Sequence, residues 1–147
     1  MQHFRGAYLP HMIEQSAEIL KREFPGCAIL VVEDDSINRL LVREFLAFAG
    51  CQVDIAENGA EAVQRVQEKR YALILMDMQM PVMDGLEATR RIRPLPNGRD
   101  VPIVAMTANA FSEDRDACLA VSMNDFVSKP FVPETLYRTL LRWLSKS

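Results

Sequence analysis

The sequence predicts an α/β fold, a doubly wound five-stranded parallel sheet of order 2-1-3-4-5 with an extra N-terminal helix. Three observations predict it. From Ala28 onward, five short apolar runs alternate with five segments of helical period. Most of the runs are apolar throughout rather than alternating with polar residues, which calls for burial on both faces and so for a parallel sheet covered by helices. The chain of 147 residues is the length of one ordinary domain, where this strand order is the commonest doubly wound solution.

The elements follow in order. "AILVV" (Ala28–Val32) has strand length and β-branched residues. "SINRLLVREFLAFAG" carries Ile37, Leu40, Leu41, Phe45, Leu46 and Phe48 at helical spacing, with Gly50 as its stop. "QVDIA" (Gln52–Ala56) is a short strand, and "ENG" (Glu57–Gly59) a turn opening the helix "AEAVQRVQEKR". "ALILM" (Ala72–Met76) is the third strand, followed by a helix near "GLEATRRIR" that Asp84-Gly85 starts as a turn and the loop "PLPNGRD" ends. "PIVAM" (Pro102–Met106), the helix "SEDRDACLAV", the weak strand "DFVS" (Asp125–Ser128) and the helix "PETLYRTLLRWL" complete the alternation.

Residues 1–26 stand outside it, as a leader ahead of a domain spanning 27–147. Between Pro10 and Pro25, Met12, Ile13, Ala17, Leu20 and Phe24 form an apolar stripe at helical spacing. The plain expectation is a helix packing on the domain; the sharper one is a dimerising or signalling helix. His3 and His11 lie here and read as surface residues.

Bulk properties narrow the function. The net charge of −3 argues against a nucleic-acid partner, and the cluster Arg90, Arg91, Arg93 reads as a solvated helix end. Cys27, Cys51 and Cys118 show no metal spacing, which suits a reduced protein using cysteine as a small hydrophobe. No apolar stretch approaches the ~20 residues of a membrane span, and no signal-peptide core is present. A cytoplasmic chain without membrane contact is expected, with spans elsewhere in a longer parent protein left open.

Ligands of such a sheet bind beyond the carboxyl ends of its strands. Strand one ends in Glu33-Asp34-Asp35, strand three in Asp77, strand four in Thr107 and strand five in Lys129-Pro130. Strands one and three are neighbours in the expected order, so several carboxylates meet in one cleft. They would repel unless a cation joined them, and hard oxygens suit Mg²⁺. A carboxylate nucleophile, Mg²⁺, a lysine and a threonine hydroxyl together fit phosphoryl transfer, with Asp77 as acceptor. Each piece alone has an ordinary explanation: an acid after a strand is usually a cap or turn former, and a lone lysine a surface charge. Their convergence on one rim is what points to chemistry.

At these residues the sequence resembles the receiver domain of two-component response regulators, through "ILVVEDDSINR", "LILMDMQMPVMDGLEATRRIR", "PIVAMTANAF" and "MNDFVSKPF". The likeness covers about Ala28 to Leu144 and is greatest to receivers of hybrid sensor histidine kinases. It implies a flavodoxin-like receiver fold with Asp77 as phospho-acceptor, Asp34 touching Mg²⁺ (or Mn²⁺) directly, and Glu33 acting through water. The Gln79 backbone carbonyl would be a further metal contact. It implies that Thr107 binds the phosphoryl oxygen, Lys129 salt-bridges to it, and Phe126 is an aromatic switch following Thr107. The Lys129-Pro130 bond is often cis in the family. Gln79 and Asn109 would tune hydrolysis, and Asp35 caps a helix. The implied phosphodonor is a sensor histidine kinase or a histidine phosphotransfer protein. The responding surface is the fourth helix, fifth strand and closing helix, which would act on another chain, in a homodimer or in a relay.

Two positions depart from the family. Ser122 stands where a glycine in a left-handed turn is usual, so another loop geometry or greater mobility is expected. Phe126 lacks the polar tip of the Tyr or His of many relatives, so its burial should rest on packing alone. Two rival readings remain: a receiver-like interaction module that is not phosphorylated, and an aspartyl-phosphate phosphatase of the haloacid dehalogenase type. The phosphatase needs an acid two residues after its nucleophile, and Gln79 cannot shuttle protons.

Overall fold

Parallel neighbours cannot be joined by hairpins, so each strand must be followed by a crossover helix that covers the sheet. The structure is a computed structural model describing residues 15–80, 83–108 and 112–146, without side-chain detail for 112–114. In it β1 (Ala28–Val32), β2 (Gln52–Ala56), β3 (Leu73–Asp77), β4 (Ile103–Thr107) and β5 (Asp125–Ser128) form one sheet of order β2-β1-β3-β4-β5. All four pairings are parallel. The helices are α1 (residues 15–23), α2 (Ser36–Phe48), α3 (Gly59–Glu68), α4 (Gly85–Ile92), α5 (Ser112–Ala120) and α6 (Pro133–Leu144). The loop after α4 holds a single 3₁₀ turn, Pro96–Gly98.

The strict alternation of strand side chains sorts the core into two layers. Ile29, Val31, Leu73 and Leu75 face Ala17 and Leu20 of α1, Val42 and Leu46 of α2, and Leu136, Tyr137 and Leu140 of α6. Leu30, Val32, Ile74 and Met76 face Ala62 and Val66 of α3, Ala88 and Ile92 of α4, and Cys118 of α5. The uniformly apolar strands are thus explained by cover on both sides. The leader stripe contributes Ala17 and Leu20 to the core, with Phe24 packed against it; Met12, Ile13, His3 and His11 lie outside the described residues. No helix among the described residues is long and apolar enough to cross a membrane.

Three expectations need correction. The third and fourth strands run one residue later than predicted, because the ladder continues through Asp77 opposite Met106 and Thr107 opposite Ser128. Asp77 and Thr107 are therefore the last residues of their strands and share the sheet's rigidity. In α2 the apolar set is not one buried face. Val42 and Leu46 are buried, whereas Ile37, Leu40, Leu41 and Phe48 are exposed, because the helix has more apolar residues than the sheet can cover.

The loop at Ser122 keeps the left-handed geometry, with φ of +69°. Its carbonyl accepts from Arg93 Nη2 at 2.6 Å and Nε at 3.1 Å. Arg93 also donates to Gly98 O, Val101 O and Asn124 Oδ1. Charge-assisted bonds of about 1.5–3 kcal/mol outweigh a left-handed penalty of roughly 1 kcal/mol, so the serine is tolerated.

Candidate functional site

The site lies beyond the carboxyl ends of β1, β3, β4 and β5. Past β1, the Glu33 N–H continues the ladder to Ala56 O at 3.0 Å, which holds Glu33 in line with the strand and fully buried. Asp34 turns outward, and Asp35 caps α2 by accepting from the Asn38 N–H at 2.8 Å. Arg39 fixes this bend by donating to the carbonyls of Glu33 and Asp34 at 3.1 and 3.0 Å. Asp77 is 3% exposed, and its Oδ1 accepts from the Gln79 N–H at 3.2 Å. From β5, the Lys129 N–H donates to Thr107 O at 2.8 Å, and the Lys129-Pro130 peptide is cis. Lys129 Nζ stands 3.0 Å from Glu33 Oε1 and 3.1 Å from Asp77 Oδ1. A cleft of about 110 Å³ results, lined by Glu33, Asp34, Asp77, Gln79, Thr107 and Lys129 among others. Most of the sequence-predicted set is therefore brought together. Phe126 is not in the cleft wall, and Asn109 lies outside the described residues.

Burial, then the neighbouring Asp77, pushes the Glu33 carboxyl up to about 7, with the Lys129 ammonium opposing. Burial pulls Lys129 down, but its bonds to Glu33 and Asp77 outweigh that and leave it above its ordinary value. Glu33 Oε1 is buried, and the Lys129 ammonium meets it at 3.0 Å. One oxygen from each of Glu33, Asp34 and Asp77 lies within 4.8 Å of the others. Three hard carboxylates brought this close, two of them buried, fit a small divalent cation such as Mg²⁺.

A pH dependence follows. Between the ordinary carboxylate value and about 7, folded Glu33 holds a proton that the unfolded chain has lost. Its stabilising share is complete at low pH and disappears as pH rises through 7. Cation binding needs the ionised form, so Mg²⁺ affinity should rise roughly tenfold between pH 6 and 8, with proton release. Calorimetric titration in buffers of different ionisation enthalpy checks this; flat affinity would remove Glu33 from the metal set.

Sequence reasoning missed three contributors. Gly85 begins α4 so close to β3 that a Cβ there would lie 2.5 Å from Asp77 O; the Asp-Gly pair signalled a turn but not this approach. Arg39, which fixes the acidic bend, left no signal beyond its place in "SINR". Arg115 of α5 sets its guanidinium 4.9 Å from the centre of the half-buried Phe126 ring. Phe126 is therefore held by a cation–π contact as well as by packing, correcting the expectation of packing alone. Next to it, Asp125 Oδ2 accepts from Trp143 Nε1 at 2.8 Å, tying β5 to α6.

A doubly wound parallel sheet with an acidic, lysine-bridged pit beyond its carboxyl ends sets the class by fold and site, and comparison narrows it. Residues 29–141 match the family model described as the response regulator receiver domain, and the chain belongs to that family. It is 50% identical over 112 residues to the two-component response regulator ORR41 of Oryza sativa subsp. japonica, covering 74% of this chain and 87% of that protein. It is 45% identical over 113 residues to hybrid signal transduction histidine kinase B of Dictyostelium discoideum, covering 69% of this chain but spanning only 6% of that kinase. It likewise spans 15% of a histidine kinase of Oryza sativa subsp. indica and 19% of the transcription factor SKN7 of Saccharomyces cerevisiae.

Among solved structures, the receiver domain of sensor histidine kinase PA1611 from Pseudomonas aeruginosa PAO1, with magnesium coordinated in its active-site cleft, superposes with a TM-score of 0.77. The identity is 45%, over 82% of this chain and 98% of that one. The Saccharomyces cerevisiae receiver domain of Ssk1, crystallised with the histidine phosphotransfer protein Ypd1, gives a TM-score of 0.77 at 32% identity, over 83% and 91% of the two chains. Residues 29–141 of the chain are thus a receiver domain of the two-component type.

Proposed function

We propose that Asp77 accepts a phosphoryl group from a phosphohistidine and that the domain supplies the chemistry for this itself. The observation that carries the reading is Lys129 Nζ bridging Glu33 and Asp77 at 3.0 and 3.1 Å in a buried acidic pit. Lys129 and the Gln79 N–H hold Asp77 Oδ1, so attack falls to Oδ2. A bond forms from Oδ2 to phosphorus, the P–N bond breaks, and the imidazole keeps that electron pair. Glu33, Asp34, Asp77 and the Gln79 carbonyl would hold Mg²⁺, or Mn²⁺ in its place, which when bound supplies charge against the phosphoryl oxygens. Lys129 can pivot from its carboxylates to those oxygens, and the Thr107 hydroxyl can donate to one of them. Drawing in Thr107 frees space for the Phe126 ring, which shifts the α5–β5–α6 face between two populations that a partner or a second copy can distinguish.

The functional unit in this reading is residues 27–147, acting in the cytoplasm, with the preceding segment as its leader. Incubation with Mg²⁺ and acetyl phosphate should add one phosphate by intact mass, base-labile and absent with chelator. No adduct at saturating donor would favour the inert interaction module instead.

The donor is a histidine kinase or phosphotransfer protein, and the exposed apolar stripe Ile37, Leu40 and Leu41 on α2 gives it a landing surface beside the pit. Leu40→Glu should slow transfer from a cognate phosphotransfer protein roughly tenfold or more while leaving acetyl phosphate labelling unchanged. Equal slowing with both donors would relocate the docking face.

A further inference from the structure

At the opposite end of the sheet from the acidic pit lies a second cluster of reactive groups. Cys27 directly precedes β1 and Cys51 directly precedes β2. Pairing begins at Ala28 opposite Gln52, and the Gln52 N–H donates to Cys27 O at 2.9 Å. One step back along that register the two cysteines stand side by side, and adjacent strands are about 4.8 Å apart, inside the Cα range of disulfides. Their Sγ atoms are 3.3 Å apart, both residues are free thiols, and both are partly buried. Closing to a bond of about 2.05 Å needs little more than a rotation of two side chains.

We propose that Cys27 and Cys51 form an oxidant-responsive thiol pair that closes to an intramolecular disulfide under peroxide. The attacking thiol is Cys27, because a hydrogen bond from Cys51 favours its ionised form, with burial opposing. Cys51 is pushed far up by that bond to Cys27 and by burial, and so keeps its proton until the second step. The Cys27 thiolate attacks one oxygen of hydrogen peroxide and the O–O bond breaks. This gives a sulfenic acid and hydroxide, which takes the Cys51 proton to become water. The Cys51 sulfur then attacks the Cys27 sulfur, the S–O bond breaks, and the departing hydroxide takes back from solvent the proton that Cys27 released on ionising, as the second water. Overall two thiols and one peroxide give one disulfide and two waters, with two electrons passing from sulfur to oxygen. The loop so closed carries β1, the acidic pair and all of α2, including its exposed apolar stripe. It also pins the exit of α1, whose Phe24 O accepts from the Cys27 N–H at 3.2 Å. Cys118 is buried in the other layer of the core and takes no part.

The test is peptide mapping of the native chain after brief peroxide treatment and alkylation, without reductant. Trypsin separates the cysteines onto residues 23–39 and 44–65, so the disulfide appears as one linked species, about two mass units lighter than the pair and split by dithiothreitol. The link should form at least tenfold faster in the folded chain than in guanidinium. It should persist in Cys118→Ser and vanish in Cys27→Ser and in Cys51→Ser, each checked for native folding by circular dichroism. Separate alkylation of both peptides, a link to Cys118, disulfides between chains, or no advantage of the folded state would each overturn the proposal.

Discussion

Asp77→Asn should abolish the phosphoryl adduct completely while leaving the domain folded and at least as stable as the parent. In the proposed transfer a carboxylate oxygen is the nucleophile, and an amide of the same shape offers none at neutral pH. The structural cost is small because the site is over-supplied with negative charge. Asp77 is one of the causes that hold Glu33 so far above the ordinary carboxylate value, and removing its charge relieves that. Lys129 loses one contact but keeps its 3.0 Å approach to Glu33. The expected change is a stability gain of about 0.5–1 kcal/mol near pH 7, since like charges crowded in low dielectric destabilise. Intact mass after acetyl phosphate and a urea melt measure both halves. An adduct on the variant would move the acceptor elsewhere, and a large loss of stability would mean that Asp77 is needed to hold the cluster together.

Gly85→Ala should destabilise the domain and disturb its site through a single methyl. The added carbon would sit 2.5 Å from Asp77 O, 3.1 Å from Met78 Cα and 3.2 Å from Met76 Cγ. Two of these are backbone atoms of β3 and its exit, which cannot rotate away. Alanine gains up to about 1 kcal/mol of helix propensity, but overpacking against fixed backbone costs 1–3 kcal/mol and here belongs at the upper end. The net loss should be about 2 kcal/mol by urea denaturation. Labelling by acetyl phosphate should fall at least tenfold, because α4 can only recede by tilting the loop that carries Gln79. Labelling at the parental rate would show that the helix moves without disturbing the acceptor.

These two sites illustrate how unevenly structure can be read from sequence. Asp77 was legible because an acid at the end of a buried apolar strand is costly, and because it fell into register with Glu33, Thr107 and Lys129 once the strands were ordered. The sheet order followed from uniformly apolar strands, for which few topologies offer cover on both faces. Gly85 was not legible: a turn and a near collision with a strand that ends eight residues before it look alike in one dimension. Apolar spacing in α2 gave the helix but not its buried side, since Ile37, Leu40 and Val42 are equally apolar and only the packed fold separates them. The left-handed Ser122 was hidden for the same reason, because its support comes from Arg93, far away in sequence.

Trp143 is the only tryptophan in the chain, and its indole N–H is bonded to the residue immediately before Phe126. The domain therefore contains, on α6, a native optical reporter bonded to the very strand expected to respond to phosphorylation. Its emission can follow activation in real time, with no label attached and no second fluorophore of its kind to confuse the signal.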